Sequence, residues 1–488
     1  MNAPSINTLG ELKKQGYKSR SIREELRENL IQQMRDEQSR FPGIIGYDDT
    51  VIPDLERAIL SGHNINLLGL RGQAKTRIAR GMTELLDEWI PVLEGTAMNE
   101  DPFHPISSEG KRILQEKGDK APIGWLNRSE RYGEKLATPD VSTADLIGDV
   151  DPIKAANLRL SYADEEVIHY GIIPRSNRGI FVINEIPDLQ PRIQVALFNL
   201  LQEGDMQIRG FKLRIPLDIL FVFTANPEDY TNRGAIVTPL KDRIGSQIIT
   251  HYPKTRALAR EITAQEAALT QAQRGHISIP ELALDLVEQI SIEARKSEYV
   301  DAKSGVSARL SISALENLVS AAERRMLLNK EKSTQIRISD FHAVIPAITG
   351  KVELVYEGEQ EGAGIVAQKL IGQAIRSIFA EYFGDPEKLK KKTEKHATFD
   401  IETWFAEGNQ LDLLDSMDDK QFSKALKNVN GLADFVAQKG IKSDQNLWME
   451  FVLFGLSEYS RLNRESIDAG ARFADLMGSY FRFENEGE

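Results

Sequence analysis

The stretch GLRGQAKT, residues 69–76, has the residue types and spacing of a loop that binds phosphate. In the pattern GxxxxGK[ST], small residues let backbone N–H groups surround the phosphates, the lysine reaches the β- and γ-phosphates, and the hydroxyl holds Mg²⁺. The stretch follows the apolar run INLL and precedes RIARGMTELLDEWI, which has helical spacing. We therefore predict a nucleotide-binding loop, with Thr76 also a metal ligand, made of Gly69, Leu70, Arg71, Gly72, Gln73, Ala74, Lys75 and Thr76. The alternative is a glycine-containing turn before a helix.

Ala74 departs from this pattern, because it stands where the last glycine is usual. Its methyl group is acceptable if the residue has a negative φ, and it is costly if the loop needs a positive φ. Gly72 supplies a second flexible point in the same loop.

The run GIFVINE is strand-like and ends in two polar residues, Asn184 and Glu185. In phosphate-loop ATPases such a strand lies beside the loop. Its first polar residue holds the water shell of the metal, and the following glutamate polarises the attacking water. Asn184 is neutral where an aspartate is usual, so we expect the Mg²⁺ site to lack one negative charge, while Glu185 remains the candidate base. A polar strand end at the rim of a sheet is the alternative.

The run DILFVFTAN also reads as a buried strand, and it ends in Asn226. An amide at that point is a candidate to position the nucleophilic water near the γ-phosphate. Asn-Pro alone is a frequent turn starter, so the motif gains its meaning from its order after the other two.

Short apolar runs that alternate with helical patterns predict the elements that must position these residues. From about residue 50 the alternation indicates a parallel sheet covered by helices, and after Pro253 the pattern is helical. We predict these segments: an N-terminal helical segment (1–40), an α/β nucleotide-binding domain (41–255), a helical lid (256–384), a charged linker (385–399) and a C-terminal helical domain (400–488).

More local patterns add detail to this outline. Ser21 is a predicted N-cap of an amphipathic helix over 20–39, with Glu24 three positions later. The glycines and glutamates of 355–366 predict a mobile acidic loop. We expect the C-terminal domain to have a core that includes Trp404, Phe405, Trp448 and Phe451.

The composition excludes several classes of protein. Hydrophobic residues make up 41% and charged residues 27% of the 488 residues, which is usual for a soluble globular protein. No apolar run is long enough to span a membrane, and we find no secretion signal, so we expect a cytoplasmic protein. The chain has no cysteine, and its seven histidines form no HxH or HExxH motif, which argues against a zinc enzyme. A net charge of −12 argues against nucleic acid as a partner.

With the three motifs in this order, the sequence resembles the AAA+ ATPases, specifically the ATPase subunit of magnesium chelatase and its MoxR-type relatives. The resemblance runs from about residue 40 to about residue 330. It is carried by these further stretches: IIGY (44–47), DLIGDVDPIKAA (145–156), GIIPRSNRGIFVINEI (171–186), LKDRIG (240–245) and SGVSARLSISALENL (304–318). It implies an α/β fold, in which a parallel-sheet phosphate-loop module is followed by an all-helical lid and a C-terminal helical domain.

The resemblance also implies roles for individual residues. Arg243 matches the arginine finger that reaches the γ-phosphate of a neighbouring subunit, although a local ion pair with Asp242 is the alternative. Arg233 is a second candidate for that interface role. Arg309 matches the sensor arginine of the lid; the alternative is an arginine near a helix start that pairs with an acidic neighbour.

Two residues of IIGY, Ile45 and Gly46, match a motif that lies beside the adenine. The cofactors implied are ATP and Mg²⁺, with Thr76 and Asn184 on the metal side. The function implied is an ATP-hydrolysing motor that remodels or activates a partner protein, in metal insertion or complex assembly. The family resemblance also implies a homo-oligomeric ring of six subunits and a partner protein with a von Willebrand A-type domain.

Two alternatives belong to other classes of protein. Asn184 is also what a weakly hydrolysing, nucleotide-controlled scaffold would carry. A regulator that acts on an alternative sigma factor has a similar motor, but the sequence contains neither a GAFTGA-type loop nor a helix-turn-helix pattern.

Overall fold

The computed structural model describes residues 3–38, 40–161, 164–203, 205–206, 208, 215–227, 235–386, 398–467 and 470–476. The chain divides into two units, residues 1–252 and 253–488. The α-helices described in the first unit are α1 (Leu9–Lys14), α2 (Ile22–Arg35), α3 (Val51–Leu60), α4 (Lys75–Gly81), α5 (Ser108–Lys117), α6 (Thr143–Leu146), α7 (Pro152–Leu158), α8 (Ile172–Arg175), α9 (Pro191–Glu203) and α10 (Thr238–Arg243). Its strands are β1 (Ile65–Leu68), β2 (Trp89–Leu93), β3 (Ile123–Asn127), β4 (Tyr132–Leu136), β5 (Gly148–Val150), β6 (Ile168–Tyr170), β7 (Gly179–Asn184), β8 (Asp205–Met206), β9 (Ile215–Pro216), β10 (Ile219–Ala225) and β11 (Ser246–Ile249).

A five-stranded parallel sheet forms the centre of the first unit, in the order β11-β1-β10-β7-β4. The strands β7 and β10 are buried along their whole length, as expected for strands covered on both faces. Because all five strands are parallel, their carboxyl ends lie at one edge of the sheet, and this is the edge where α/β proteins bind ligands.

Successive residues of these strands belong to two different hydrophobic cores. In β7, Ile180 and Val182 pack in the core that contains α2, α3 and α4, whereas Phe181 and Ile183 pack in the core that contains α9. This alternation follows from the two-residue period of a strand. Asn184 therefore lies on the same face as Val182, which is the face covered by α4.

The predicted N-terminal helix is confirmed as α2, with a capping box between Ser21 and Glu24. It packs into the sheet core instead of standing apart, because Ile22, Leu26 and Leu30 are buried. Glu25 on this helix also accepts both terminal guanidinium nitrogens of Arg131, at 2.7 and 2.6 Å, in an almost fully buried ion pair.

The three strands predicted from sequence are confirmed as β1, β7 and β10, and the predicted α/β fold class is confirmed with them. The order of these strands in the sheet is not stated by the sequence. In the structure β10, which ends before Asn226, lies between β7 and β1. Both β4 and β11 were missed, because each is short and contains polar residues.

The second unit is mainly helical. Its described α-helices are α11 (Arg256–Glu266), α12 (Gln271–His276), α13 (Glu281–Lys296), α14 (Arg309–Leu328), α15 (Ile345–Thr349), α16 (Tyr356–Glu361), α17 (Ala363–Phe383), α18 (Phe399–Ala406), α19 (Asp419–Lys427), α20 (Leu432–Gln438) and α21 (Gln445–Glu458). Its strands are β12 (Ile277–Ser278), β13 (Thr334–Gln335), β14 (Leu411–Leu414), β15 (Asn463–Ile467) and β16 (Gly470–Ala474).

One hydrophobic core runs through this unit from Ala267 to Phe473, so the segments predicted as lid and C-terminal domain share their interior. Phe405 and Phe451 are fully buried and Trp448 is 9% exposed, as predicted, while Trp404 is partly buried. The helical character of the C-terminal region is confirmed, but it also contains an antiparallel sheet in the order β14-β16-β15 that was not predicted. The prediction of an acidic loop at 355–366 is wrong, because α16 and the start of α17 occupy it with a break at Gly362.

Residues 387–397 of the predicted charged linker lie outside the described residues. The predicted domain boundaries remain predictions. Among the described helices, none combines the length and the apolar character needed to cross a bilayer.

Candidate nucleotide site

The predicted phosphate loop connects the carboxyl end of β1 to the start of α4. Its first residue, Gly69, donates its N–H to the carbonyl of Ala225 at 3.1 Å, which ties the loop to the neighbouring strand β10. A Cβ atom at Gly69 would collide with the side-chain oxygens of Thr250 and Gln73, so only glycine fits there. Gly72 has a φ of 74° and Ala74 a φ of 55°. Left-handed residues within a tight loop turn successive N–H groups into a concavity that suits an anion.

Ala74 therefore has the positive φ for which the sequence analysis expects its methyl group to be costly. It has φ 55° and ψ 17°, which is the left-handed region. An L-residue with a Cβ costs about 1–2 kcal/mol there relative to the right-handed region. The loop keeps the shape that glycine usually provides, and the alanine strains it.

Lys75 connects the loop to the sensor strand. Its Nζ donates to the carbonyls of Gly69 and Leu70, the latter at 2.9 Å, and to Oδ1 of Asn226 at 2.7 Å. These contacts bring together two of the motifs that the sequence placed 151 positions apart. A triphosphate that binds the Lys75 ammonium must replace the bonds to the loop carbonyls.

Residues that follow β11 hold the other side of the loop. Thr250 donates its hydroxyl to Oε1 of Gln73 at 2.8 Å, and the hydroxyl of Tyr252 donates to the carbonyl of Arg71 at 3.1 Å. These two contacts hold the loop at the side chain of Gln73 and at the backbone of Arg71.

Tyr47 links the loop to the segment IIGY. Its hydroxyl lies 3.1 Å from the carbonyl of Gln73 and 2.7 Å from that of His251. Burial raises the pKa of Tyr47 to about 12, so this hydroxyl is a donor at neutral pH. Ile45 and Gly46 precede Tyr47 in the chain and are half-buried, so the structure brings the predicted adenine motif to the loop through Tyr47.

The next strand in the sheet order carries the candidate base. Glu185 follows β7 directly and has a left-handed backbone, with φ 57° and ψ 48°, and its N–H donates to Oγ1 of Thr224 at 3.1 Å. Because neighbouring strands lie about 4.8 Å apart, β7 is about 10 Å from β1. This separation leaves room between the loop and Glu185 for the end of a triphosphate and one water molecule.

Asn184 uses both atoms of its amide in a network across three strands. Its Nδ2 donates to Oε1 of Glu134 on β4 at 2.7 Å, and its Oδ1 accepts the hydroxyl of Thr224 at 3.1 Å. Because a carboxylate only accepts, Glu134 determines which side of the amide faces it. The other oxygen of Glu134 accepts from Arg80 of α4 and from Tyr132, each at 3.0 Å.

These side chains fit a magnesium ion bound together with a nucleotide. Mg²⁺ prefers oxygen ligands, keeps several waters, and is usually bound through one or two carboxylates plus the phosphates. The amide of Asn184 and the carboxylate of Glu134 contact each other at 2.7 Å, and Thr76 belongs to α4, which packs in the core on the same face of the sheet as Asn184. Thr76 is the second residue of α4 and is half-buried.

Arg243 is the last residue of α10, and its guanidinium has local partners. It forms an ion pair with Asp242, donates to Oε1 of Gln202 at 3.3 Å, and lies 4.8 Å from the centre of the Phe198 ring. The local ion pair considered from sequence is therefore present. Its side chain is still 32% exposed, and the role as a finger toward a neighbour remains a prediction.

Arg309 begins α14 in the second unit and is exposed. The structure gives its side chain no acidic partner among the described residues, which removes the support for the alternative considered from sequence. Within its unit, α14 is fixed next to Arg309 by Ser311, which donates to the buried Glu288 at 2.8 Å. Its contact with a nucleotide remains a prediction. Arg233, the second interface candidate, lies outside the described residues.

Sequence reasoning missed Tyr47, Glu134, Thr224 and the group Thr250, His251 and Tyr252. A signal for the last group was present, since SQIITHY is an apolar run that ends in polar residues just before Pro253. Glu134 had no such signal, because its role depends on the pairing of β4 with β7.

Comparisons with known proteins find similarities over parts of the chain. A family model described as a sigma-54 interaction domain matches residues 159–245. The magnesium-chelatase 38 kDa subunit from Rhodobacter capsulatus is 26% identical over 218 residues, which cover 44% of this chain and 56% of that protein. The chain thus matches just over half the length of this relative.

Solved structures with a partial likeness of fold include two kinds of protein. A model of the complex between the BchI and BchD subunits of magnesium chelatase has a TM-score of 0.33 and 17% identity, covering 66% of this chain and 98% of that chain. NtrX from Brucella abortus in complex with ADP has a TM-score of 0.38 and 13% identity, covering 78% and 71%.

The motif order and the curated relative agree on the magnesium-chelatase type of ATPase, and the family model of the sigma-54 interaction domain matches part of the same region. They confirm the resemblance predicted from the sequence: this chain is similar to the AAA+ ATPases of the magnesium-chelatase and MoxR-type group.

Proposed function

We propose that this protein binds and hydrolyses ATP at the edge of its sheet and uses the energy to remodel or activate a partner protein. The observation that carries the proposal is the contact of Lys75 with Asn226 at 2.7 Å, with Glu185 on the next strand. A phosphate-binding cation, a polar amide and a candidate base thus follow one another across β1, β10 and β7.

Each residue then has a defined task. The loop N–H groups and Lys75 bind the β- and γ-phosphates, and Thr76 holds Mg²⁺ on the same side. The metal, when bound, neutralises charge that develops on the phosphates. Asn226 orients the attacking water, and Glu185 accepts its proton.

Completion of the site by a second copy of the chain is the next part of the proposal. Arg243 would reach the γ-phosphate bound by its neighbour and stabilise the charge of the transition state. This requires a homo-oligomer, which we propose to be a ring and, by family resemblance, a hexamer. Arg309 would contact nucleotide within its own subunit.

The partner is a protein, which we propose carries a von Willebrand A-type domain. Metal insertion and complex assembly are the two processes that the resemblance suggests for it. The relative from Rhodobacter capsulatus, named a magnesium-chelatase subunit, supports the first of these.

Binding and hydrolysis by two variants of the full chain test the nucleotide site. Loss of the Lys75 charge in Lys75→Ala removes charge-assisted bonds to phosphate, so affinity for a fluorescent ATP analogue should fall about 10- to 100-fold. Glu185→Gln keeps binding but removes the base, so phosphate release should slow by about 10²–10⁴-fold.

The exposed carboxylate Glu94 offers the matched control, because Glu94→Gln changes the same charge away from the site. Wild-type protein that fails to bind the analogue, or Glu185→Gln protein that hydrolyses ATP at the wild-type rate, would contradict the proposal.

A sigma-54-interacting regulator is a second candidate, because the family model of that domain matches residues 159–245. The matched segment contains β7, β10 and α10, which all belong to the motor. The chain lacks the GAFTGA-type loop by which we would expect such a regulator to engage its factor. Binding of purified sigma-54 in the presence of an ATP analogue would favour this candidate.

A nucleotide-controlled scaffold is the third candidate and differs in turnover. A motor should release phosphate steadily with Asn184 in place, whereas a scaffold should bind ATP and stop. Steady-state phosphate release by the wild-type chain distinguishes the two.

A further inference from the structure

Asn184 is held by one partner that accepts a hydrogen bond and another that donates one, and an amide can satisfy both. Its Nδ2 donates to Glu134 at 2.7 Å, and its Oδ1 accepts from Thr224 at 3.1 Å. The same Thr224 hydroxyl accepts the N–H of Glu185 at 3.1 Å. The Thr224 hydroxyl therefore donates its proton to Asn184 and accepts the N–H of Glu185. Every hydrogen bond in this network thus has one donor and one acceptor.

An aspartate at position 184 would disrupt this network. A carboxylate there would face the Glu134 carboxylate at hydrogen-bond distance, without a proton between them, and like charges at that distance disfavour each other's ionised form. An aspartate at position 184 and the carboxylate of Glu134 are thus alternatives. This protein carries the acid, Glu134, on β4 and the amide, Asn184, on β7.

Glu134 is held in a fixed orientation. Arg80 and Tyr132 both donate to its Oε2 at 3.0 Å, while Oε1 faces Asn184. Arg80 lies one helical turn after Thr76 on α4, so the carboxylate is held close to the helix that carries the predicted metal hydroxyl. The side chain of Arg80 is 67% exposed, and such an exposed cation screens a neighbouring charge only weakly.

We propose that Glu134 supplies the negative charge that Asn184 lacks at the magnesium site of the bound nucleotide. The acid stands on β4 and the amide on the neighbouring strand β7, and together they contribute the charge that one aspartate at 184 usually contributes. We call this distribution of acid and amide the exchange. This inference rests on the proposed nucleotide site, and it predicts that the neutral residue at 184 does not by itself weaken metal binding.

Three variants of the full chain test the exchange: Glu134→Gln, Asn184→Asp, and the double variant that carries both changes. For each we measure the affinity for a fluorescent non-hydrolysable ATP analogue, once with Mg²⁺ and once with EDTA. The ratio of the two affinities reports the metal's contribution, and a thermal melt reports folding.

Each single change should be harmful, whereas the double change should restore wild-type behaviour. Glu134→Gln removes the charge, so the Mg²⁺ enhancement should fall about 10- to 100-fold, while affinity in EDTA stays the same. Asn184→Asp alone places two carboxylates in contact and should lower the melting temperature. The double variant again holds one acid and one amide, so both the melting temperature and the Mg²⁺ enhancement should return to within about threefold of the wild type.

Several outcomes would overturn the inference. One is a folded Glu134→Gln protein with an unchanged Mg²⁺ enhancement, matching the control Glu94→Gln. Another is an Asn184→Asp protein that gains enhancement and is not improved further by Glu134→Gln. If a single variant does not fold, the double variant decides: wild-type enhancement supports the exchange, and its loss overturns it.

Failure of the underlying site is distinguishable from failure of the exchange. A wild-type chain that binds the analogue in neither buffer overturns the proposed nucleotide site and this inference with it. A wild-type chain that binds equally well with Mg²⁺ and with EDTA overturns this inference alone.

Discussion

Ala74 shows how much a single methyl group matters in the loop. Its neighbours place it at φ 55°, a value that glycine adopts freely and alanine does not. The conformation persists because Gly69 is tied to Ala225 on one side and α4 begins at Lys75 on the other. The loop shape is therefore set by its surroundings, and the residue type at 74 adjusts only its energy.

The change Ala74→Gly should stabilise the protein. Relief of the left-handed strain is worth about 1–2 kcal/mol, and the greater flexibility of unfolded glycine offsets about 0.5–1 kcal/mol of it. We expect the free energy of unfolding in urea to rise by about 0.5–1 kcal/mol.

The exposed Ala156 of α7 is the matched control for this change. Ala156→Gly puts glycine into a right-handed helix and should lower stability by about 0.5–1 kcal/mol. The same sign for both substitutions would show that the loop does not strain Ala74 in solution.

At the scale of elements, a buried carboxylate connects the C-terminal helix α21 to the rest of the second unit. Glu450 is fully buried, and its two oxygens accept the N–H groups of Ile338 and Ser339 at 2.5 and 3.0 Å. These N–H groups lie at the start of the 3₁₀ helix Ser339–Val344. The carboxylate of Glu450, which belongs to α21, thus caps the N-terminus of this 3₁₀ helix.

This carboxylate should make the stability of the protein depend on pH. Burial raises the pKa of Glu450 to about 7, even though the two N–H donors favour its charged form. The folded state then binds a proton at Glu450 more tightly than the unfolded state does. The stabilisation of the folded state by this proton is therefore fully present below the unfolded pKa and is lost as pH rises through about 7. The loss should amount to about 3 kcal/mol between pH 4.5 and 7.

Glu450→Gln isolates this contribution from that of other groups. We expect the difference in unfolding free energy between wild type and variant to change with pH between 4.5 and 7. The reason is that only the wild type has a titratable group at position 450. A constant difference from pH 4.5 to 8 would mean that Glu450 has an ordinary pKa in the folded protein.

At the scale of the whole molecule, the proposed ring requires that one subunit complete the site of the next. The guanidinium of Arg243 is held by Asp242, Gln202 and Phe198 at the end of α10, and it remains partly exposed. To act on a phosphate bound by another copy of the chain, the guanidinium would have to exchange its ion pair with Asp242 for that contact.

Mixing two inactive variants tests this arrangement. Arg243→Ala keeps Glu185, and Glu185→Gln keeps Arg243, so each alone should hydrolyse ATP slowly. In mixed oligomers, a quarter of the interfaces on random mixing combine an intact base with an intact finger, and activity should recover to about a quarter of the wild-type rate.

The dependence of the rate on protein concentration gives an independent measurement. The wild-type rate per subunit should rise steeply as oligomers form. A mixture no more active than its two components, together with a flat concentration profile, would place Arg243 outside the reaction.

Much of the nucleotide site was accessible from local patterns. INLLGLRGQAKT, GIFVINE and FVFTAN each combine a buried strand with a polar end, and all three strands formed as predicted. Local patterns did not reach β4 and β11, because four or five mixed residues carry little periodicity. They also left the order of the strands in the sheet open, because chain order does not state which strand is inserted between two others.

By itself, the sequence determined which residues could do chemistry and that they would follow strands of a parallel sheet, because strand periodicity and polar strand ends are properties of neighbouring residues. Only the tertiary structure decided the sign of φ at Ala74, the partners of Lys75 and the pairing of Asn184 with Glu134. Each of these depends on contacts between segments far apart in the chain. A short stretch of sequence does not show which distant segment it will contact or how favourable that contact will be.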